Sequence, residues 1–150
     1  MGLISDTHGL LRQAAVRTLR GSDLILHAGD VGSPEILTAL KTIAPVVAVR
    51  GNVDTGDWAE ALPLSEVVQA GPVMIYMLHI LQDLDINPAV PGFQIVVSGH
   101  SHKPGQSEKD GVIYINPGSA GPRRFQLPVT LARLDLGVKP WKAEFIDVED

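Results

Sequence analysis

Gly99-His100-Ser101-His102 places two imidazoles one residue apart, directly after the apolar run Gln94–Ser98. A β-branched run of that length reads as a buried strand, and the glycine that ends it lets the backbone turn sharply. Both histidines therefore belong to a loop at a strand's C-terminal edge, where open α/β sheets hold their ligands. Imidazole is a borderline ligand for zinc, iron, manganese or nickel. The same kind of position recurs along the chain. Asp6 and His8, then Asp30, then Asn52, then a lone His79 each follow a strand-like run. Any one of them alone reads as a turn aspartate or a packed histidine. Together, two aspartates, one asparagine and four of the five histidines are enough for two metals sharing a bridging carboxylate, and too many for one tetrahedral zinc.

The elements that must position these residues follow from periodicity. Gly2–Ser5 reads as a strand, Leu10–Arg20 as a helix stopped by Gly21, and Asp23–His27 as a second strand. Ser33 as N-cap and Pro34 at the first helical position open a helix to about Thr42, and Pro45–Arg50 is a third strand. Strand, helix, strand, helix, strand predicts a parallel sheet with right-handed crossovers. The second half changes character. Leu64–Gln69 and Val73–Leu78 read as strands, and the proline-punctuated stretch Asp83–Gly92 as at most a short helix. Two short strands flank Lys109-Asp110-Gly111, a tight-hairpin signal, and Val129–Leu136 and Trp141–Val148 close the chain. The expected architecture is α/β: two mostly mixed sheets packed face to face with helices outside, one domain over residues 1–150.

Composition narrows the function classes. A chain of 150 residues, 45% hydrophobic and 19% charged, is long enough to bury a core and is not of disordered composition. No apolar run approaches a membrane span, and the N-terminus carries no secretory pattern. With no cysteine, a metal site must use nitrogen and oxygen ligands, and a cytoplasmic location is expected. A net charge of −5 and a pI near 5.4 weigh against long nucleic acid as a partner. Neither a P-loop nor a serine triad is present.

The series Asp6-Thr7-His8, Gly29-Asp30, Gly51-Asn52-Val53-Asp54, His79 and Gly99-His100-Ser101-His102, with Asn116-Pro117-Gly118-Ser119, resembles the calcineurin-like metallophosphoesterase superfamily, in its compact bacterial and archaeal branch. The resemblance runs from about residue 4 to residue 121 with every motif in order. It implies an α/β/β/α sandwich. It also implies a first metal on Asp6, His8 and His102, a second on Asn52, His79 and His100, and Asp30 between them. Two divalent metals against two ligand carboxylates leave a site of about +2, which favours a phosphate ester and acidifies water for in-line attack. The implied activity is phosphodiester or phosphomonoester hydrolysis on small molecules or nucleotides. Manganese comes first among the metals, with iron, nickel, zinc or cobalt as alternatives, because mixed N/O ligands do not select sharply. The alternatives are a protein-interaction scaffold, as in the small retromer subunit, and a nuclease for short oligonucleotides. The intact histidine set argues against the scaffold. A homo-oligomer is compatible with the sequence.

Two departures bear on the chemistry. The protein-phosphatase branch carries a proton-donating histidine after the asparagine, whereas this chain has Val53. Either the leaving group departs without strong acid help, or Asp54, His8 or water donates. The segment Leu78-His79-Ile80 also lacks the polar or glycine residue that many relatives place after the histidine. Arg50, Arg123 and Arg124 are candidates for contact with a substrate phosphate. His27 reads as a buried residue that packs or supports a ligand rather than ligating, Asp54 as an orienting partner or turn residue, and Trp58 as a loop residue near the third motif, either packed or lining a cleft or an interface. Trp141 and Phe145 read as core on the last strand.

Overall fold

Leu3 and Ile4 point to opposite faces of one strand, and that alternation builds the molecule: Leu3 enters a core between two sheets, Ile4 a core beneath the helices. A computed structural model describes residues 1–150. In chain order the elements are β1 (Gly2–Ile4), α1 (Gln13–Leu19), β2 (Ile25–His27), α2 (Pro34–Lys41), β3 (Val46–Ala48), α3 (Asp57–Glu60), β4 (Ser65–Ala70) and β5 (Val73–Leu78). A 3-10 turn (Leu81–Asp83) precedes β6 (Ile95–Val97), β7 (Gly105–Lys109), β8 (Val112–Asn116), β9 (Thr130–Arg133) and β10 (Glu144–Asp147). No helix is long and apolar enough to cross a membrane.

The strands form two mixed five-stranded sheets, ordered β10-β9-β1-β2-β3 and β4-β5-β6-β8-β7. β1, β2 and β3 are parallel, as are β5, β6 and β8, so each sheet delivers three parallel strand ends to one edge. The chain is thus an α/β sandwich of two mixed sheets. Ile95 and Val97 of β6 face the inter-sheet core while Val96 faces outward. The layer outside the first sheet is α1 and α2. Outside the second sheet, the cover is the 3-10 turn and the loop after it, where Leu81 and Leu84 pack against Val96.

Local departures from the sequence reading have local causes. α1 begins at Gln13 rather than Leu10, because Leu10–Arg12 is held elsewhere: the Leu10 N–H donates to Thr7 O, and the Arg12 guanidinium to Gly121 O. Ser33 occupies the N-cap position of α2 but makes no capping hydrogen bond. The last strand starts at Glu144. Trp141 precedes it, donating from Nε1 to Leu136 O, and both Trp141 and Phe145 pack at the margin of the inter-sheet core. Trp58 belongs to α3, not a loop, and packs against the helix-side core rather than a cleft. The Asp110-Gly111 turn has φ of 54° and 78°, the two left-handed residues a tight hairpin requires.

Candidate metal centre

Seven non-glycine residues adopt left-handed φ, and five of them are Asp6, His8, Asp30, His100 and His102. That conformation costs a side-chain-bearing residue energy and persists only where the surroundings over-determine it. The strain therefore sits on the candidate ligands. Each lies just past β1, β2 or β6, where a strand releases the chain into a turn. Close backbone approach enforces those turns. A Cβ on Gly51 would collide with the Asp30 backbone and carboxylate, and one on Gly99 with Ser5 Oγ.

The turns bring all seven candidates together. Ligand atoms of Asp6, His8 and His102 lie within 4.8 Å of one another, as do those of Asp30, His79 and His100. Asp30 Oδ2 lies 3.1 Å from His79 Nε2 and 3.7 Å from His8 Nε2, so it faces both groups. Asp6 Oδ1 lies 3.3 Å from His102 Nε2 and 3.7 Å from His8 Nε2. Asn52 Oδ1 is 3.2 Å from His100 Nδ1.

Each carboxylate divides its work between its oxygens. Asp6 Oδ2 accepts from Ser5 Oγ at 2.6 Å and from the His100 N–H at 3.1 Å, leaving Oδ1 without a partner. Asp30 Oδ1 accepts from the Val53 N–H at 3.0 Å, leaving Oδ2 toward the imidazoles. His79 Nδ1 donates to Ala28 O at 2.7 Å, which frees the Nε2 lone pair. Buried Asp6 Oδ1, His8 Nε2 and His79 Nε2 have no hydrogen-bonding donor or acceptor assigned, and both imidazole nitrogens lie within 3.9 Å of Asp6 Oδ1, an arrangement that costs energy unless a cation satisfies it. This donor set fits divalent metal.

The electrostatics agree. Burial pushes the Asp6 carboxyl up, but the adjacent His102 imidazole, the hydrogen bond from Ser5 and the nearby His79 outweigh it and hold its pKa below the usual value. Asp30 is lowered likewise, with burial opposed by His79 and the Val53 N–H. Burial lowers His8, against the pull of Asp30 and Asp6 and helped by the nearby Arg124 guanidinium. Burial also pushes His79 down, yet its contact with Asp30 and the charge of Asp6 raise it. Two buried carboxylates held ionised call for positive charge between them.

The remaining candidates separate cleanly. Arg50 lines a cleft with Asn52 and His79. Arg123 is spent on Glu149, at 2.9 Å on the surface, and Arg124 stands exposed near His8. Asp54 is not placed to donate a proton: its buried carboxylate accepts from the N–H groups of Val31, Gly32 and Gly51, which ties the second motif to the third. His27 is fully buried, with Nδ1 accepting from the Gly29 N–H and Nε2 3.0 Å from Thr7 Oγ1. Burial lowers its pKa to about 4.

A family model described as the calcineurin-like phosphoesterase superfamily domain matches residues 1–139. The chain belongs to that superfamily. A probable metallophosphoesterase of Methanothermobacter thermautotrophicus is 34% identical over 148 residues, covering 90% of this chain and 86% of the relative. Among solved structures, an archaeal phosphodiesterase matches with TM-score 0.76 at 21% identity, over 97% of this chain and 98% of that one. Vps29 of Chaetomium thermophilum matches with TM-score 0.77 at 20% identity, over 97% and 95%. These two likenesses speak to the fold, and membership of the family makes the chain a metal-dependent phosphoesterase.

In this calcineurin-like phosphoesterase, Asn116-Pro117-Gly118-Ser119 is visible in the sequence as a motif, but its part in bracing the ligands is not. Asn116 Nδ2 donates to Gly99 O and Ser101 Oγ, fixing the loop of the two histidines. Ser119 Oγ donates to Asp6 O, and the Ala120 N–H to Ser5 O. The Asn116-Pro117-Gly118-Ser119 segment therefore clamps the first and last motifs together. Its composition signalled a turn, but nothing local signalled its partners.

Proposed function

We propose that the chain hydrolyses phosphoesters of small molecules or nucleotides at a two-cation centre. Asp6, His8 and His102 hold one cation, Asn52, His79 and His100 the other, and Asp30 is shared. The observation that carries this reading is the Asp30 carboxylate: its Oδ1 is taken by the Val53 N–H, while its Oδ2 faces His79 at 3.1 Å and His8 at 3.7 Å. Divalent cations there supply Lewis acidity, which acidifies water and neutralises phosphoryl oxygens. The mixed nitrogen and oxygen ligands suit manganese, with iron, nickel, zinc or cobalt as substitutes.

The chain's own residues orient and exclude. The backbone braces on Asp6 and Asp30 hold one oxygen of each toward the centre before any ligand arrives, so little reorganisation is needed. Hydrolysis adds water across the P–O bond, oxygen to phosphorus and a proton to the departing alcohol. Val53 contributes to the site only its N–H, and its side chain is 49% exposed and apolar. With Asp54 committed to three backbone donors, His8 or water remains as proton source, and acidic alcohols are the leaving groups that need least help. A cysteine-free chain suits a cytoplasmic working place. The scaffold reading draws on the Vps29 likeness, whereas the convergence of four histidines on two carboxylates supports the hydrolytic one.

Metal analysis of reconstituted protein, paired with manganese-dependent assays on nitrophenyl mono- and diesters, tests the proposal. Two equivalents per chain, with activity following the second, are expected. Full activity at one equivalent overturns it, and equal rates for alkyl and nitrophenyl esters overturn the part that leaves the departing alcohol without strong acid help.

A further inference from the structure

Beside the metal centre a cleft of about 320 Å³ opens between the end of β3, the start of β4 and the turn after β5. Asn52 and His79 line it, so its occupant touches the candidate centre. His79 is buried at the inner end of the cleft, with its Nε2 3.1 Å from Asp30 Oδ2, so the cleft closes on the candidate centre itself. Its other walls carry polar groups with no role in holding metal: Arg50, Asp83 of the 3-10 turn and Asp85 of the loop after it. None of the three takes part in the molecule's ion pairs. The ring of Tyr76 also lines the cleft, held edge-on against Phe93 with centroids 5.2 Å apart.

We propose that this cleft is the subsite for a neutral, polyhydroxylated arm of a phosphodiester, such as glycerol or a sugar. The inference rests on the two-cation reading for the position of phosphorus and extends it to the substrate's organic part. Hydroxyl groups both donate and accept, so they satisfy two carboxylates and a guanidinium at once. The C–H face of a polyol packs on an aromatic ring such as Tyr76. A purely apolar arm strips water from three charged groups and gives nothing back. One cation against two carboxylates leaves a formal −1, which repels an arm carrying a second phosphate, while Arg50 opposes a simple ammonium. The polyol is the arm that stays on phosphorus, because Val53 offers no proton to a departing alkyl alcohol. The small volume suits one ring or one glycerol.

The test holds the leaving group constant. Diesters of 4-nitrophenyl phosphate are compared with ethyl, glyceryl, ribosyl and phosphoglyceryl second arms, in the manganese-loaded protein. The glyceryl or ribosyl arm is expected to raise kcat/KM about tenfold over ethyl, mainly through KM, and the terminal phosphate to abolish the gain. The glyceryl and ribosyl arms tell the two polyol sources apart. In Asp83→Asn/Asp85→Asn the preference falls toward unity, and Asp83→Lys/Asp85→Lys makes the phosphoglyceryl arm the preferred one. Equal kcat/KM for all arms, or ratios unmoved by both double substitutions, overturns the subsite while leaving the two-cation reading in place. If no nitrophenyl ester turns over with any divalent metal, the failure belongs to that reading. The subsite is then decided by whether glyceryl ethyl phosphate shifts the methyl resonances of Leu64 and Ile80; unmoved resonances overturn it.

Discussion

The two halves of the metal centre are built differently. Asp6, His8 and His102 lie at the ends of β1 and β6, with the Asp6 side chain fully buried and His102 nearly so. Ser5, Ser119 and the His100 N–H all bond to Asp6. The other half pairs buried Asp30 and His79 with Asn52 and His100, whose side chains are exposed. The first half is thus part of the core, and its ligands cannot change without disturbing the fold. The second opens to solvent and to the cleft beside β5, the side on which the proposed function places the substrate. Binding strength and access are assigned to different sides of one site.

The comparison breaks most sharply at the residue both halves share. Asp30→Ala should cost about 10³-fold in kcat/KM and remove both cations, because several kcal/mol of charge stabilisation vanish together. One tightly held equivalent in that variant, measured by metal analysis, shows that the halves are independent.

Next come the separate halves. Asp6→Ala leaves Ser5 Oγ and the His100 N–H without their acceptor, and about 2 kcal/mol of stability should go with it, a Tm drop of roughly 4–8 °C. His100→Ala, at an exposed position, should cost about 100-fold in activity and no more than about 0.5 kcal/mol in stability. Paired calorimetry and kinetics check both, and equal Tm shifts erase the distinction.

His27 reaches beneath both halves through Thr7 and Gly29, and its effect is read from pH. Its folded pKa is about 4 against an ordinary 6.5, so between those values the unfolded chain binds a proton the native state refuses. Stability contributed by neutral His27 is therefore lost as pH falls from about 6.5 to 4, by roughly 3 kcal/mol. His79, whose pKa is raised, works in the opposite sense: its contribution is complete below about 6.5 and fades as pH rises. Asp6 and Asp30, both lowered, lose theirs only below about 3.8. Urea unfolding of metal-free protein at pH 7 and 4.5 should show a smaller acid loss in His27→Gln than in the parent. An unchanged loss removes His27 from the account.

The smallest effect is expected outside both halves. Arg123→Ala breaks a surface pair with Glu149 and should change stability by under about 1 kcal/mol and kcat/KM by under about twofold. A larger kinetic loss puts Arg123 back among the substrate contacts.

Much of this molecule can be read before folding. Periodicity locates all three parallel strands of the first half: β1 and β2 are buried on both faces and read as continuous apolar runs, and the half-buried edge strand β3 is an equally apolar, β-branched run. It also places Asp6, Asp30, His79 and His100 just beyond strand ends, because glycine and polar residues must follow where pairing stops. The hairpin at Asp110-Gly111 is equally local. The start of α1 and the helical setting of Trp58 were misread, since both depend on distant partners: Gly121 O for Arg12 and the helix-side core for Trp58.

Sequence alone determined which residue types gather at strand ends and which chemistry they suit, because strand alternation and turn preference act over a few residues. Only the tertiary structure decided how their atoms divide the work. That Asp54 is a brace, that Arg123 is spent on Glu149, and that Asn116 and Ser119 clamp the ligand loops all follow from contacts across more than a dozen residues. Hydrogen-bond partners of that kind are chosen by packing two sheets face to face, which no short stretch of chain encodes.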